Sequence, residues 1–297
     1  MTLTIAIPFC NARPYLADAI RCVFAQTFTD WELILLDDGS TDGSLDVAKA
    51  VDDPRVRVVS DGRNLGLATR LNEVTRLADS DLIARMDADD LMSPRRLEVQ
   101  YRVLSENPAI NLVSTGLLSL GSDGELVGRR GIDGGTPSFD DVLYQRRGVL
   151  HGSVVARREW LSRNPYNERL RQAQDVDLWL SAIAKGDFSV RTLSEPLYVY
   201  REGQSVGAPK LLGAYRVERH DLSRRITSRR QRQLYIARSY AKSTVVWGLD
   251  KVGRVSVLQS RRNDTIAPED QHLLDEILDA VRSTEVPGFG SGFASAL

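Results

Sequence analysis

The 297-residue chain is 42% hydrophobic and has a formal net charge of −1, which suits a globular protein with a sizeable core and gives no reason to expect nucleic-acid binding. Its two cysteines, Cys10 and Cys22, are too few for a disulfide framework and lack zinc-site spacing, so a reduced, cytoplasmic setting is expected. No apolar run reaches the ~20 residues needed to cross a bilayer, and strand-like sequence follows Met1 at once, so no signal peptide is expected.

From Leu3 to Ser105 the pattern alternates strand and helix. Strand Leu3–Ile7 stops at Pro8 and a helical pattern follows from Tyr15 to Gln26. Strand Trp31–Leu36 leads into Ser40-Thr41-Asp42, a cluster of helix-capping residues, and a short helix to Val51. Arg55–Val59 reads as a strand, Leu67–Leu77 as a helix, Asp81–Met86 as a strand and Pro94–Ser105 as a helix with proline in its first turn. Such alternation predicts a largely parallel sheet covered by helices on both faces, with ligands bound beyond the carboxyl ends of the strands.

Two of those strands end in clustered acids: Asp37-Asp38-Gly39-Ser40 and Asp87-Ala88-Asp89-Asp90. Negative charge concentrated at a strand end is self-repelling unless a cation sits there, and a divalent metal is the usual partner. Pro8, Asp37, Asp38, Asp87 and Asp89 therefore converge on one crevice fit for a metal and a polar ligand. The bland alternative for residues 87–90 is a solvated, helix-capping loop, with capping assigned to Asp90 or Ser93.

Later elements are less regular. Ile110–Leu120 is strand-like, Gly121–Pro137 a loop or hairpin, and His151–Arg157 a further strand. Gln174–Ala184 reads as a helix. Phe188–Leu193 and Leu197–Arg201 read as two strands parted by Glu195-Pro196. The pattern turns helical from Gly207 to about Trp247 and again from Pro268 to Arg282, and the Gly/Ser-rich end from Glu285 reads as a mobile tail.

The segments Ile5–Asn11, Gln26–Ile34, Asp37–Asp42, Asn64–Ala68, Asp87–Asp90, His151–Arg158, Gln174–Trp179 and Pro196–Arg201 occur in an order and spacing that resemble family 2 glycosyltransferases. The resemblance covers roughly residues 2 to 205 and implies a GT-A fold, a Rossmann-like, mostly parallel sheet flanked by helices, with a helical C-terminal extension. Domain bounds follow as 1–208 for the catalytic domain, 209–284 for a helical region and 285–297 for the tail.

The same resemblance implies site roles. Pro8 and Asn11 would wall the nucleotide base, and Asp38, beside Asp37, would accept from a uracil N–H. Asn64 and Arg70 would line the nucleotide pocket, Asp87 would hold the ribose and share the metal, and Asp89 would be the direct ligand of Mn²⁺ or Mg²⁺. Asp175 is the expected base, kept ionised by the helix N-terminus; Asp177 is its structural competitor. His151 and Arg201 fall on the acceptor side. The chain departs from the family at Gln174, where Glu is usual, and has no His after Arg201 to serve as a further metal ligand, a place where Glu202 could substitute.

These roles imply an enzyme transferring one sugar, with inversion, from a nucleotide sugar (UDP-linked by expectation) to a saccharide or lipid-linked acceptor in bacterial surface polysaccharide synthesis. No Gln-x-x-Arg-Trp motif of processive relatives is present. Other readings stay open. A sugar-phosphate nucleotidyltransferase would need a Gly-rich basic loop near the first strand, and a non-catalytic sugar-nucleotide binder would fit the Gln174 departure. A dehydrogenase is disfavoured because residues 8–11 lack Gly-x-Gly-x-x-Gly. The arginines of 210–242 are either a solvated face or a peripheral contact with the inner face of a membrane.

Overall fold

Side chains of the first strands divide strictly between two faces. In β1 (Leu3–Phe9) Leu3, Ile5, Ile7 and Phe9 enter one apolar cluster and Ala6 the other; in β2 (Trp31–Asp37) Trp31, Leu33 and Leu35 share the first cluster, Ile34 and Leu36 the second. Continuous apolar runs are what a strand buried on both sides needs. The computed structural model describes residues 2–131, 133–146, 148–202, 207–252 and 266–290.

The sheet runs β3 (Val56–Ser60), β2, β1, β4 (Leu82–Arg85), β8 (Val155–Arg157), β6 (Leu112–Leu120), β9 (Val190–Arg201), β5 (Leu91–Met92), with β7 (Leu126–Arg130) paired to β6. Strands β1 to β4 are mutually parallel, as expected. Beyond β4 the sheet becomes mixed: β8 is antiparallel to β4 and β6, β7 to β6 and β5 to β9, while β6 and β9 are parallel.

Helices α1 (Arg13–Phe24), α2 (Ser44–Lys49), α3 (Leu67–Leu77), α4 (Arg96–Glu106), α5 (Phe139–Leu143), α6 (Arg158–Arg163) and α7 (Gln174–Ala184) follow in order. Then come α8 (Ala208–His220), α9 (Arg229–Lys251) and α10 (Pro268–Ser283). α1 covers one face through Leu16, Ile20 and Val23; α3, α6 and α7 cover the other through Leu71, Val74, Trp160 and Leu178.

Three of these element expectations are modified. The helix predicted from Pro94 begins two residues later, at Arg96: Leu91 and Met92 pair with β9, the Ser93 N–H donates to Leu197 O, and Pro94 and Arg95 form the turn between strand and helix. The two strands predicted either side of Glu195-Pro196 are one, β9. It absorbs the proline, which has no N–H to give, by slipping register against β6 around Gly116. His151–Ser153 forms a 3₁₀ turn, so only Val155–Arg157 is strand.

The C-terminal region does not stay apart from the sheet. Leu274, Ile277 and Val281 of α10 are buried in the α1-side cluster, each worth about 1.5–3 kcal/mol. Within the segment read as a mobile tail, residues 285–290 are anchored: Val286 is buried and the Asp52 N–H donates to Pro287 O at 2.9 Å. The remainder of that expectation, 291–297, lies outside the described residues.

Candidate active site

The carboxyl ends of β1, β2 and β4 meet as the strand order requires, and the loop at 61–66 closes over them. Asn11 has a left-handed backbone (φ 52°), tolerable for Asn, and its Oδ1 accepts the Thr41 N–H at 2.8 Å. Asn64 Nδ2 donates to Asp38 O at 3.1 Å, and Asn64 Oδ1 accepts from Arg171. Pro8 is buried in β1, one residue before the strand's end and paired with Leu36 of β2. Gly39 (φ 75°) and Gly66 (φ 90°) are needed here, since a side chain on either would collide with Arg63 backbone or with the Arg171 guanidinium.

Three residues expected at the nucleotide pocket are also bonded within the protein. Asp37 is buried, with Oδ1 accepting the Ser40 N–H and Oδ2 the Ser60 hydroxyl. Asp38 accepts from Leu65 N–H (2.7 Å), Gly66 N–H and Arg70 Nε (3.0 Å). Arg70 is fully buried and joins Asp38, Asp61 and Glu73 while donating to Arg63 O. Its guanidinium therefore balances aspartate charge and holds the wall's shape. Helical spacing alone could have paired Arg70 with Glu73, but only the fold brings Asp38 and Asp61 to it.

The acids at the end of β4 take different positions. Asp90 is buried; Oδ2 accepts the Tyr198 hydroxyl at 2.7 Å and Oδ1 the Arg201 N–H at 3.0 Å. Asp90 thus ties β9 to the acidic turn and does not cap α4, which has no side-chain cap. Asp87 pairs with buried Arg85, and its N–H donates to the Tyr198 oxygen at 3.1 Å. The Asp89 carboxyl is raised above its ordinary range by desolvation first and by the Asp87 charge second. Asp87 and Asp89 thus offer hard oxygen donors and crowded negative charge, which fits Mg²⁺ or Mn²⁺. Among the described residues, no group of three His, Cys, Asp or Glu side chains is placed to hold a metal.

Strand parity corrects one expectation. Tyr198, Tyr200 and Glu202 line a cavity of about 230 Å³ together with Arg85, Asp87 and His151. Arg201, between them, points to the other side of the sheet, where its guanidinium lies 3.6 Å from Asp18 and over the Tyr15 ring. Its side chain is absent from the acceptor side; its backbone N–H is what reaches the site. Glu202 accepts from Arg130 at 3.3 Å.

A larger cavity of about 630 Å³ adjoins the first, and Arg130, Leu150 and His151 line both. Asp175 and Trp179 line it from α7. Ala173, the residue before the helix, is held left-handed (φ 54°), a strained setting for alanine that fixes how α7 starts. The Asp175 carboxyl is raised above its ordinary range because desolvation outweighs the lowering by nearby backbone N–H groups and Arg85. This reverses the expectation that the helix N-terminus dominates. Asp177 is turned away into a bidentate pair with Arg225. His151, its Nε2 2.8 Å from the Tyr166 hydroxyl, is pushed well below 6.5 by burial and by Arg85, so its ring is neutral.

Residues 4–164 match the sequence profile of glycosyl transferase family 2. The chain belongs to that family. This family 2 glycosyltransferase is 36% identical to EpsE of Bacillus subtilis over 200 residues, 65% of this chain and 70% of EpsE. It is 32% identical to the succinoglycan biosynthesis protein ExoU of Rhizobium meliloti over 193 residues, 59% of this chain and 55% of ExoU. Among solved structures, TarS 1–349 of S. aureus in complex with UDP superposes with a TM-score of 0.57 at 16% identity, covering 95% of this chain and 81% of that one. The mannosyltransferase PcManGT of Pyrobaculum calidifontis, in complex with GDP-Man and Mn²⁺, gives 0.55 at 17% identity over 95% and 81%. At such identities the structural likeness establishes the GT-A fold alone.

Proposed function

We propose that this glycosyltransferase moves one sugar, with inversion, from a nucleotide-sugar donor to a hydroxyl of a saccharide or lipid-linked acceptor, and that the transfer depends on Mn²⁺ or Mg²⁺. One observation carries the reading: the cavity of Asp87 and the cavity of Asp175 share a wall, so a donor on the first presents its anomeric carbon toward an acceptor in the second.

Pro8, Asn11 and Asn64 wall the base, their geometry fixed by Asp37, Asp38 and Arg70. Asp87 takes the ribose side and, with Asp89, would hold the metal, which when bound acts as a Lewis acid toward the diphosphate. Asp175 takes the proton of the acceptor hydroxyl as its oxygen bonds the anomeric carbon and the carbon–oxygen bond to the nucleoside diphosphate breaks. A single displacement needs one base and no enzyme nucleophile. Raised above the ordinary carboxylate range, Asp175 is a stronger base than a solvated aspartate. His151, neutral and tethered to Tyr166, orients the acceptor without charge.

The UDP complex of TarS supports the UDP-linked donor expected of this chain, and the GDP-Man complex of PcManGT makes a GDP-linked sugar the alternative. ExoU supports a setting in bacterial surface polysaccharide synthesis. Nucleoside diphosphate release from a panel of UDP- and GDP-sugars, with oligosaccharide acceptors and Mn²⁺, tests the proposal. Acceptor-dependent release lost in Asp175→Asn is the expected result. Donor binding with no release under any combination would overturn it in favour of a non-catalytic sugar-nucleotide binder.

A further inference from the structure

Helix α9 has two apolar faces. Tyr235, Ser239 and Val246 are buried against the rest of the protein. Away from that buried line the helix exposes Leu234, Tyr240, Val245 and Trp247, with Val252 just past its end, all more than half accessible to solvent. Leu234 and Val245, eleven apart, fall on one line about 16 Å long, and Val252 follows at the C-cap. Tyr240 and Trp247, seven apart, form a second line about 140° round the helix, so the two lines edge an outward strip that carries the small side chains of Ala237, Ala241 and Thr244. A solvated helical face does not need this composition.

The charge on that helix is one-sided. Asp250 is its sole acid among Arg229–Lys251. Several arginines of the basic run are consumed internally: Arg225 by Asp177, Arg232 by Ile226 O, Arg219 by Ser239 and Ser243. Arg229, Arg230, Arg238 and Lys251 remain exposed around the apolar lines. Aromatic and aliphatic side chains rimmed by arginine and lysine are the chemistry that seats a helix in the headgroup layer of an anionic bilayer.

The position of α9 gives such docking a use. Tyr144, beside the Gln145 and Arg146 that line the larger cavity, packs edge-on against Tyr235, and Arg238 and Arg146 both lie over its ring. The exposed helix is thus one residue layer from the cavity assigned to the acceptor. We propose that the outer face of α9 docks this enzyme on an anionic lipid surface, seating Leu234, Val245, Trp247 and Val252 at the interface and Arg229, Arg230 and Lys251 among the headgroups. Binding through this face is independent of the sugar chemistry proposed above.

Trp247 makes the test direct. Of the four tryptophans it alone is exposed (58%), while Trp31, Trp160 and Trp179 are at 2% or below. The full chain is mixed with vesicles of phosphatidylcholine alone and with vesicles containing phosphatidylglycerol, and sedimentation and tryptophan emission are read. The expected result is co-sedimentation and a blue shift with the anionic vesicles only, weakened by added salt. Arg229→Gln with Arg230→Gln should reduce partitioning about tenfold or more. Val245→Asp with Trp247→Ala should abolish it, with nucleotide binding and the thermal midpoint unchanged. A wild-type chain that stays in the supernatant overturns the proposal. So does a concentration-dependent dimer broken by Val245→Asp, which would make this face a contact between copies.

Discussion

Asp177 accepts from Nε and Nη2 of Arg225 at 3.0 Å each, and this pair turns it out of the cavity that Asp175 lines two residues earlier. The two acids of the first turn of α7 therefore have separable roles. Asp175→Asn should lower kcat by about 10²–10⁴ while leaving the Kd for the nucleotide intact. Asp177→Asn should destabilise by about 1–3 kcal/mol, since half of a mostly buried pair is left behind, yet retain turnover. Steady-state kinetics beside thermal melts of both variants check this. The reverse pattern would move the base to Asp177.

The direction of the Asp175 shift sets a pH dependence. A base acts only when deprotonated, and burial raises its pKa above the ordinary 3.8. The rate should therefore fall as pH drops through a limb displaced upward from the usual carboxylate range and be flat above it. In Asp175→Glu, where the carboxyl reaches farther into the cavity and regains solvent, the limb should move down. A pH–kcat/KM profile of both proteins measures the displacement; coincident limbs at the free-carboxylate value would assign the titration elsewhere.

Much of the frame was legible because it is local. The Leu3–Ile7 and Trp31–Leu36 runs, the acids that end β2 and β4 and the helix at Gln174–Ala184 are set by periodicity and punctuation within a few residues. Long-range partnerships were not legible. Arg70 has Glu73 three residues on along α3, but it collects Asp38 and Asp61 only once α3 lies beside β2. Which of Arg201 and Glu202 faces the site depends on the register of β9 against β5 and β6. The helix N-terminus argued for a readily ionised Asp175, but the depth of the cavity, a tertiary property, reverses the sign. The basic run 210–242 read as either a solvated face or a membrane contact, and which of its side chains are exposed depends on what packs against α9, again a tertiary property.

Asp87 and Asp89 lack a third protein ligand among the described residues, and Glu202 is held by Arg130. Metal and donor should consequently bind with mutual reinforcement. Calorimetric titration of Mn²⁺ into the free protein should show weak binding, tightening about five- to 150-fold when the nucleoside diphosphate is present, with reciprocal tightening of the nucleotide. Asp89→Asn should erase the coupling. Equal Mn²⁺ affinity with and without nucleotide would point to a complete protein site.

His151 links stability to pH. Burial and Arg85 hold it well below 6.5, so the folded protein keeps it neutral where the unfolded chain would take up a proton. The stabilisation this represents is fully present above about 6.5 and is lost as pH falls below it, at a limiting slope of about 1.4 kcal/mol per pH unit. Chemical denaturation of wild type and His151→Gln across that window isolates the contribution. The variant's slope should be flatter, and parallel curves would show that His151 titrates alike in both states.

Tyr198 holds two acids of the site through one oxygen, donating to Asp90 Oδ2 at 2.7 Å and accepting the Asp87 N–H at 3.1 Å. Tyr198→Phe keeps the ring beneath Arg96 (5.2 Å to its centroid) but strips both bonds. Asp90 is then left buried with the Arg201 N–H as its remaining hydrogen bond, a loss of about 1–3 kcal/mol for an underpartnered buried acid. Because the Asp87 backbone is released at the same time, the donor KM should rise several-fold and the Mn²⁺ dependence should shift to higher concentration, while the Asp175 pH limb stays in place. Urea melts give the stability term and donor-saturation curves the geometric one. A variant with lowered stability but wild-type donor KM and Mn²⁺ dependence would confine Tyr198 to packing, and would mean that Asp90 alone sets the turn that presents Asp87 and Asp89.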